Sequence, residues 1–354
     1  MSTPFQVSVL PSGREFTVPE GEAMLAAAIR QGVGMPYGCR DGACGSCKCK
    51  KISGTVTHGP HQQKALSDAE EAAGFVLTCC GFPHSDVVLE SRQVTQAGAF
   101  AIRKMPSRIV HLEKKSHDVM QVRLQLPATD VFNYIPGQYI EFMLKDNVRR
   151  SYSLATSPKT FKKEDGSPAN MIELHIRHLP GGKFTDQVFS TMKEKDIMRL
   201  EGPYGSFFLR EDSAKPMILL ASGTGFAPIK AVIEHMQLQG ITRPATLYWG
   251  GRRPSDLYLD DWVKARLAEM PNLSYVPVIS DALPEDGWTG RTGFVHSAVV
   301  QDHADLSGHQ VYACGAPIVV DSARKAYTTQ CGLPEDEFYA DSFITEADRA
   351  RTGA

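Results

Sequence analysis

The sequence predicts a chain in three parts: an α+β segment around a cysteine loop, a small antiparallel β-barrel, and a doubly wound α/β segment with a parallel sheet. Three observations carry this. Cysteines crowd into one glycine-bearing loop near the N-terminus, CRDGACGSCKC from Cys39 to Cys49. The middle third breaks into short strand-like stretches separated by Pro and Gly signals, the pattern of an antiparallel barrel. The last third opens on a continuous apolar run, Met217–Ala221, then a glycine loop, then an amphipathic segment. That is the strand–loop–helix order of a parallel sheet.

The bulk numbers bound the function. A length of 354 residues suggests two or three domains, and 42% hydrophobic residues suffice for ordinary cores. A formal net charge of −2 offers no basic excess for nucleic acid. No run of 18 apolar residues is present, so a membrane span is not expected. Residues 1–30 lack a basic start followed by an apolar core, so no secretory signal is expected. Five of the eight cysteines fall between positions 39 and 79, which is clustering of the kind metal ligands show. A reducing cytoplasm is the natural compartment.

In chain order, residues 3–10 alternate with Phe5, Val7 and Val9 on one face, Pro11-Ser12-Gly13 turns, and Glu15–Val18 resumes the strand. Residues 22–31 read as a helix that buries Met24, Leu25, Ala28 and Ile29 and ends at Gly32 and Gly34. The cysteine loop follows. Ile52–Val56 and Val87–Leu89 are further strands, and Asp68, Glu70 and Glu71 read as a solvated acidic face, with a docking patch as the lesser reading.

Cys39, Cys44 and Cys47 stand in a C-x4-C-x2-C spacing, with a fourth thiolate available at Cys79 or Cys80. That spacing suits a [2Fe–2S] cluster, because soft thiolates stabilise iron in both redox states. Gly42, Ala43, Gly45 and Ser46 are small enough for a loop to wrap two irons. A zinc site using Cys44 and Cys47 is the competing use of the same residues. The segment resembles the plant-type ferredoxins. Val76-Leu77-Thr78-Cys79 matches the apolar lead-in to their fourth ligand, so the resemblance implies Cys39, Cys44, Cys47 and Cys79 as ligands. It also implies a β-grasp fold over residues 1–94. Cys80 is then a neighbour and Cys49 a bystander. Residues 92–104 read as a linker.

From about 106 to 211 the expected strands are Arg108–Lys114, Val119–Leu126, Tyr139–Leu144, Ser151–Ala155, Ile172–His178 and Ile197–Leu200. One of them holds Arg150-Ser151-Tyr152-Ser153. An Arg can pair a pyrophosphate with two hydrogen bonds, and a Tyr two residues on shares its strand face and can stack on a flat heterocycle. The Ser153 hydroxyl is suited to a flavin ring nitrogen. This stretch resembles the R-x-Y-S signature of the ferredoxin–NADP reductase superfamily, which binds flavin. The same resemblance implies a flavin-nucleotide contact at His175, Ile176 and Arg177. It implies a pyrophosphate turn at Gly181, Gly182, Lys183 and Thr185, opening a short helix whose bare N–H groups suit an anion. The turn favours FAD over FMN, in a barrel domain over 104–211 that closes at Gly202-Pro203-Tyr204-Gly205.

The last domain, 215–346, carries Gly223, Thr224 and Gly225 between strand and helix, a phosphate-binding crossover. Thr246–Trp249 precedes Gly251, Arg252 and Arg253, where either Arg is placed to hold the ribose or a phosphate of a dinucleotide. Asp256-Leu257-Tyr258 opens the next helix, and Leu273–Ile279 and Val311–Ala313 are strands. The superfamily resemblance implies that the Gly223 loop takes the nicotinamide nucleotide, with Thr224 facing the flavin. It places Cys314 of the Cys314-Gly315-Ala316-Pro317 motif beside the nicotinamide ring, and Phe343 over the flavin.

Three such sites in one chain imply a path. A nicotinamide nucleotide gives two electrons together, a cluster accepts one, and a flavin can stand between them. The expected order is NADH to FAD to the [2Fe–2S] cluster to a separate acceptor protein, with Ser153 and Cys314 at the hydride step. NADH is expected, and the Arg pair leaves room for NADPH. The arrangement resembles single-chain ferredoxin/FAD/NAD reductases: the reductase components of Rieske aromatic-ring oxygenases and the CDP-6-deoxy-glucoseen reductases. The LTCC segment and the FYADSF tail look like the second group. The implied acceptor is a Rieske oxygenase or a pyridoxamine-phosphate-dependent dehydrase. A redox sensor and a zinc-binding adaptor are the readings from other classes.

Overall fold

Alternation of apolar and polar residues builds the first sheet. In the computed structural model, which describes residues 3–95, 100–145 and 148–345, Val7 and Val9 of β1 (Phe5–Leu10) and Phe16 and Val18 of β2 (Arg14–Val18) are buried. These residues form the expected antiparallel hairpin, from which α1 (Met24–Arg30) follows. The helix is one turn shorter than 22–31 and buries Met24, Leu25, Ala27 and Ala28. It is followed by β3 (Lys48–Ser53), β4 (Val56–His58), α2 (Asp68–Ala72), β5 (Phe75–Leu77), β6 (Gly81–Pro83) and β7 (Val87–Glu90). The five-stranded sheet has the order β2-β1-β7-β3-β5, with β1 parallel to β7 and the remaining pairs antiparallel. A mixed sheet with its helix between hairpin and crossover is the β-grasp arrangement.

The strand expected at Ile52–Val56 is two strands. β3 starts at Lys48, directly after the cysteine loop, and ends where Gly54 takes φ +94. A Cβ at that position would meet Val87 Cα at 2.9 Å, so the chain breaks there before β4. The acidic run forms α2. Ser67 and Glu70 make a reciprocal cap, Glu70 pairs with Lys48 at 2.6 Å, and Glu71 bonds the His58 ring at 2.8 Å.

The described residues divide into two compact units: one from the first 100 positions together with those from 340 onward, the other Ala101–Tyr339. Part of the expected linker, residues 96–99, lies outside the described residues.

The second unit begins with six antiparallel strands: β8 (Arg103–Lys114), β9 (Val119–Gln125), β10 (Tyr139–Met143), β11 (Arg149–Ser153), β12 (Met171–Arg177) and β13 (Ile197–Tyr204). Their order is β11-β10-β13-β8-β9-β12. The outer strands meet through a Leu154–Leu174 bridge and an Ala155 N–H to Glu173 carbonyl bond of 2.8 Å, which closes the barrel. Ile109, Leu124, Ile140, Phe142, Leu174 and Ile176 fill it. α3 (Lys183–Ser190) packs Phe184 and Val188 into the same core.

The α/β part follows as β14 (Met217–Ser222), α4 (Phe226–Gln239), β15 (Ala245–Gly251), α5 (Asp260–Glu269), β16 (Leu273–Ile279), β17 (Arg291–Thr292), α6 (Val295–Asp302), β18 (Gln310–Gly315), α7 (Pro317–Gln330) and β19 (Phe338–Ser342). The strand order is β17-β16-β15-β14-β18-β19, and the pairs from β17 through to β18 are parallel. The order reverses at β14, so a crevice opens between the carboxyl ends of β14 and β18. Asp256 does not open α5. It ends a short 3-10 turn, Pro254–Asp256, and its carboxylate accepts the Arg252 and Arg253 amides at 2.8 and 3.0 Å.

Candidate functional site

The cysteine loop presents its sulfurs as two pairs. Cys39 is hydrogen-bonded to Cys44, and Cys47 to Cys79, which also bonds the neighbouring Cys80. The Cys39 and Ser46 amides also point at the Cys44 sulfur, at 3.4 and 3.5 Å. The bond from Cys39 pulls the Cys44 thiol down to about 6 against the opposing effect of burial. Cys79 receives a backbone bond from Gly42 inside the loop, which ties it rather than Cys80 to the loop backbone.

The wrap demands glycine. Gly42 has φ +77, and a Cβ there would lie 2.9 Å from the Pro60 carbonyl oxygen and the His61 Cβ. Among the described residues, three of these sulfurs do not gather within 4.8 Å of one another. Four ligands on one zinc would stand about 3.8 Å apart. Four thiols of which no three lie that close suit two irons better than one zinc, so the donor set fits a [2Fe–2S] cluster. Cys49 is buried in the sheet core, away from this role.

In the second unit, β11 carries Arg150, Tyr152 and Ser153. The Arg150 guanidinium bonds the Arg149 carbonyl at 2.9 Å, and Ser153 is buried. The Tyr152 ring packs against Phe142 and Phe184, with centroids 5.9 and 5.6 Å away. On β12, Ile176 is core and His175 is wholly enclosed. The His175 ring bonds Glu173 through Nε2 at 3.2 Å and the Tyr258 hydroxyl through Nδ1 at 2.8 Å. Burial pushes its pKa below the ordinary value. Arg177 donates to Asp118 at 2.6 Å, and its guanidinium is 3.2 Å from where a Gly223 Cβ would stand.

Gly181 has φ +82 and Gly182 precedes α3, which has no side-chain cap. The exposed Lys183 begins that helix. The Thr185 hydroxyl turns inward, donating to the Leu179 carbonyl at 2.9 Å and accepting the Leu179 amide at 3.2 Å. It closes the turn. A Cβ on Gly182 would strike that hydroxyl at 2.7 Å, so the turn fits a group that needs bare backbone N–H groups.

At the crevice, Gly223 takes φ +53 and Thr224 is buried. A Cβ on Gly225 would collide with the Cys314 carbonyl, and one on Gly315 would lie 2.5 Å from the Ser222 carbonyl. The glycine loop after β14 and the Cys-Gly turn after β18 therefore pack backbone against backbone. The Trp249 indole N–H fixes the loop by donating to the Gly223 carbonyl at 3.0 Å. Gly251, Arg252 and Arg253 follow β15. The Arg252 guanidinium pairs with Asp281 at 3.4 Å and that of Arg253 with Asp286 at 2.9 Å. Phe343 lies just past β19, partly buried, within the segment grouped with the first unit.

Two large exposed apolar side chains were not singled out by sequence reading. Phe294, directly before α6, is 68% exposed, and Ile318, in the first turn of α7, is 74% exposed; both helices leave the carboxyl edge of the parallel sheet. Phe294 also holds the N-cap position of α6, where Ser, Thr, Asp or Asn would satisfy an amide. That mismatch is visible in sequence only once the helix start is known.

Three family models match the chain: a "2Fe-2S iron-sulfur cluster binding domain" over residues 7–84, an "Oxidoreductase FAD-binding domain" over 106–209 and an "Oxidoreductase NAD-binding domain" over 219–325. The CDP-6-deoxy-L-threo-D-glycero-4-hexulose-3-dehydrase reductase of Yersinia pseudotuberculosis is 36% identical over 341 residues, covering 96% of this chain and 98% of its own. The chain belongs to the single-chain ferredoxin/FAD/NAD reductases. The reductase is also 33% identical to terephthalate 1,2-dioxygenase reductase component 1 of Comamonas sp, over 96% of this chain and 97% of that one. Among solved structures, an Amycolatopsis cytochrome P450 reductase is 30% identical with a TM-score of 0.75, covering 96% of the reductase and 99% of its own chain. The family's modules use a [2Fe–2S] cluster, FAD and a nicotinamide nucleotide. Among the described residues no helix is long and apolar enough to cross a membrane.

Proposed function

We propose that the reductase draws electrons from NADH and delivers them one at a time to a separate oxygenase or deoxysugar dehydrase in the cytoplasm. The observation that carries this is the pairing of Cys39 with Cys44 and of Cys47 with Cys79 in a chain whose other unit joins a flavin-type barrel to a nucleotide-type sheet. When bound, FAD and the cluster supply the conversion of a two-electron gift into single-electron exits.

The chain's residues bind and orient. Cys39, Cys44, Cys47 and Cys79 hold the irons. Arg150 and the N–H groups after Gly182 bind the flavin pyrophosphate, and Tyr152 lines the flavin site. The Ser153 hydroxyl bonds the flavin ring, and Ile176 and Arg177 border its nucleotide. Gly223, Thr224 and Gly225 offer backbone to the nicotinamide nucleotide, with Cys314 and Gly315 bordering the nicotinamide. Phe294 and Ile318 supply an apolar platform for its adenine, since an exposed ring and an exposed aliphatic side chain at the carboxyl edge suit a flat base.

NADH is the donor because the Arg pair is already matched by carboxylates. Asp281, Asp286 and Glu285, 4.0 Å from Arg253, surround the guanidiniums that a 2′-phosphate would seek. The expected kcat/KM favours NADH, and Asp286→Asn narrows that preference by about tenfold. The dehydrase reading of the acceptor is supported by the Yersinia relative. The purified protein is expected to show flavin and iron–sulfur absorption and to bleach both with NADH. A colourless, zinc-loaded protein would sink the proposal.

A further inference from the structure

α4 leaves the glycine loop and is buried on nearly every side, yet it carries a Lys and a Glu one turn apart, Lys230 and Glu234, each exposed by 8% or less. Both are largely shielded from water. An ammonium has three donors, and Lys230 Nζ has three acceptors: Glu234 at 2.6 Å, the Ala155 carbonyl at 3.0 Å and Glu173 at 3.2 Å. The other Glu234 oxygen accepts the Ser157 amide at 3.1 Å and the Thr160 hydroxyl at 2.6 Å. Glu173 also accepts Arg123 Nε at 2.9 Å and His175 Nε2 at 3.2 Å. All of these partners except the Lys230–Glu234 pair itself belong to the barrel.

The placement is specific. Ala155 lies two residues beyond Ser153, and Glu173 two residues before His175, so one ammonium grips both strands that carry the flavin motif. Lys230 lies five residues beyond Gly225, roughly 7.5 Å along the helix axis. Tyr258, from the nucleotide side, makes a second tie to the same strand through His175. Apolar side chains would hold these elements together but allow them to slide. A buried charge satisfied in one register does not, because any shift leaves an unpaired ion in a dry seam.

We infer that Lys230 is a positioning residue that fixes the spacing between the nicotinamide loop and the two flavin strands, and so the rate of hydride transfer. This rests on the reductase reading above. Hydride transfer tolerates little displacement; about 1 Å can cost about a hundredfold in rate.

The test uses the full holoenzyme with Lys230→Met combined with Glu234→Gln, which leaves Glu173 paired with Arg123. Three quantities are measured: FAD and iron content, ADP-ribose affinity, and anaerobic single-turnover bleaching by NADH. Deuterium exchange of residues 153–157 and 171–177 is followed in parallel. The inference expects full cofactor content, ADP-ribose affinity within about twofold, faster exchange in both segments, and bleaching slower by about a hundredfold. Bleaching within threefold of the native rate, with FAD retained, overturns it. If the double variant fails to hold FAD, Glu234→Gln alone decides: a drop of about tenfold with FAD bound supports the inference, and a native rate overturns it. Native holoenzyme that binds FAD but is not bleached by NADH would sink the reductase reading itself, and the inference with it.

Discussion

A methyl group on Gly225 has nowhere to go, because the Cys314 carbonyl fills the place. Gly225→Ala is therefore expected to destabilise the second unit by about 1–3 kcal/mol and to weaken ADP-ribose binding at least tenfold, read by melting and calorimetric titration. Phe294→Ala has the opposite profile. Its side chain is mostly exposed, so melting is unchanged while ADP-ribose affinity falls about tenfold, and Phe294→Trp keeps it. Equal affinity in the Ala variant would remove Phe294 from the nucleotide site. At this scale the sequence was readable wherever spacing encodes chemistry, as in the cysteine loop and the glycines of the crevice. It was unreadable where charge is buried. Glu173, Lys230 and Glu234 look in sequence like solvated residues, because only the packing of α4 on the barrel reveals that water is excluded. Thr185 illustrates the reverse: its hydroxyl suits an anion by type, but the turn geometry commits it to Leu179.

Strands and helices were legible where alternation or an apolar run was long, as in β1, β9, β14 and β16. Boundaries slipped where a side chain caps or a glycine turns: β3 runs straight on from the cysteine loop and is cut after Ser53 by Gly54, and α5 waits until Asp260 because Asp256 binds two amides first. β12 carries a pH prediction. Burial holds His175 below its ordinary pKa of about 6.5, so below that pH the unfolded chain takes up a proton that the folded chain refuses, and stability falls. Burial would raise the Glu173 carboxyl, but His175, Lys230 and Arg123 outweigh it and hold the group far below the usual range. Its contribution is present above about pH 4.3 and is lost only as pH falls through that depressed value. Between about pH 6.5 and 4.5 the second unit should therefore lose stability through its histidines. His175→Gln should flatten the slope and leave the share from His296 and His309, which burial also lowers. A native melting temperature that does not change across that window would contradict this.

On the scale of the molecule, the two units divide the chemistry. The first holds the paired thiols; the second joins barrel and parallel sheet around a buried ionic seam. The order of modules was legible because each has its own periodicity and its own glycine signature. How the barrel is locked to the sheet was not, since that contact lies between segments far apart in sequence. The central claim is a linear path in which the cluster is the exit, and Cys47→Ser tests it most directly. NADH-driven reduction of cytochrome c and of ferricyanide is measured side by side on the variant. The path predicts that the cytochrome c rate is abolished while ferricyanide reduction stays near native, because ferricyanide can take electrons before the cluster. Equal loss of both rates, or cytochrome c reduction that persists without the cluster, would contradict it.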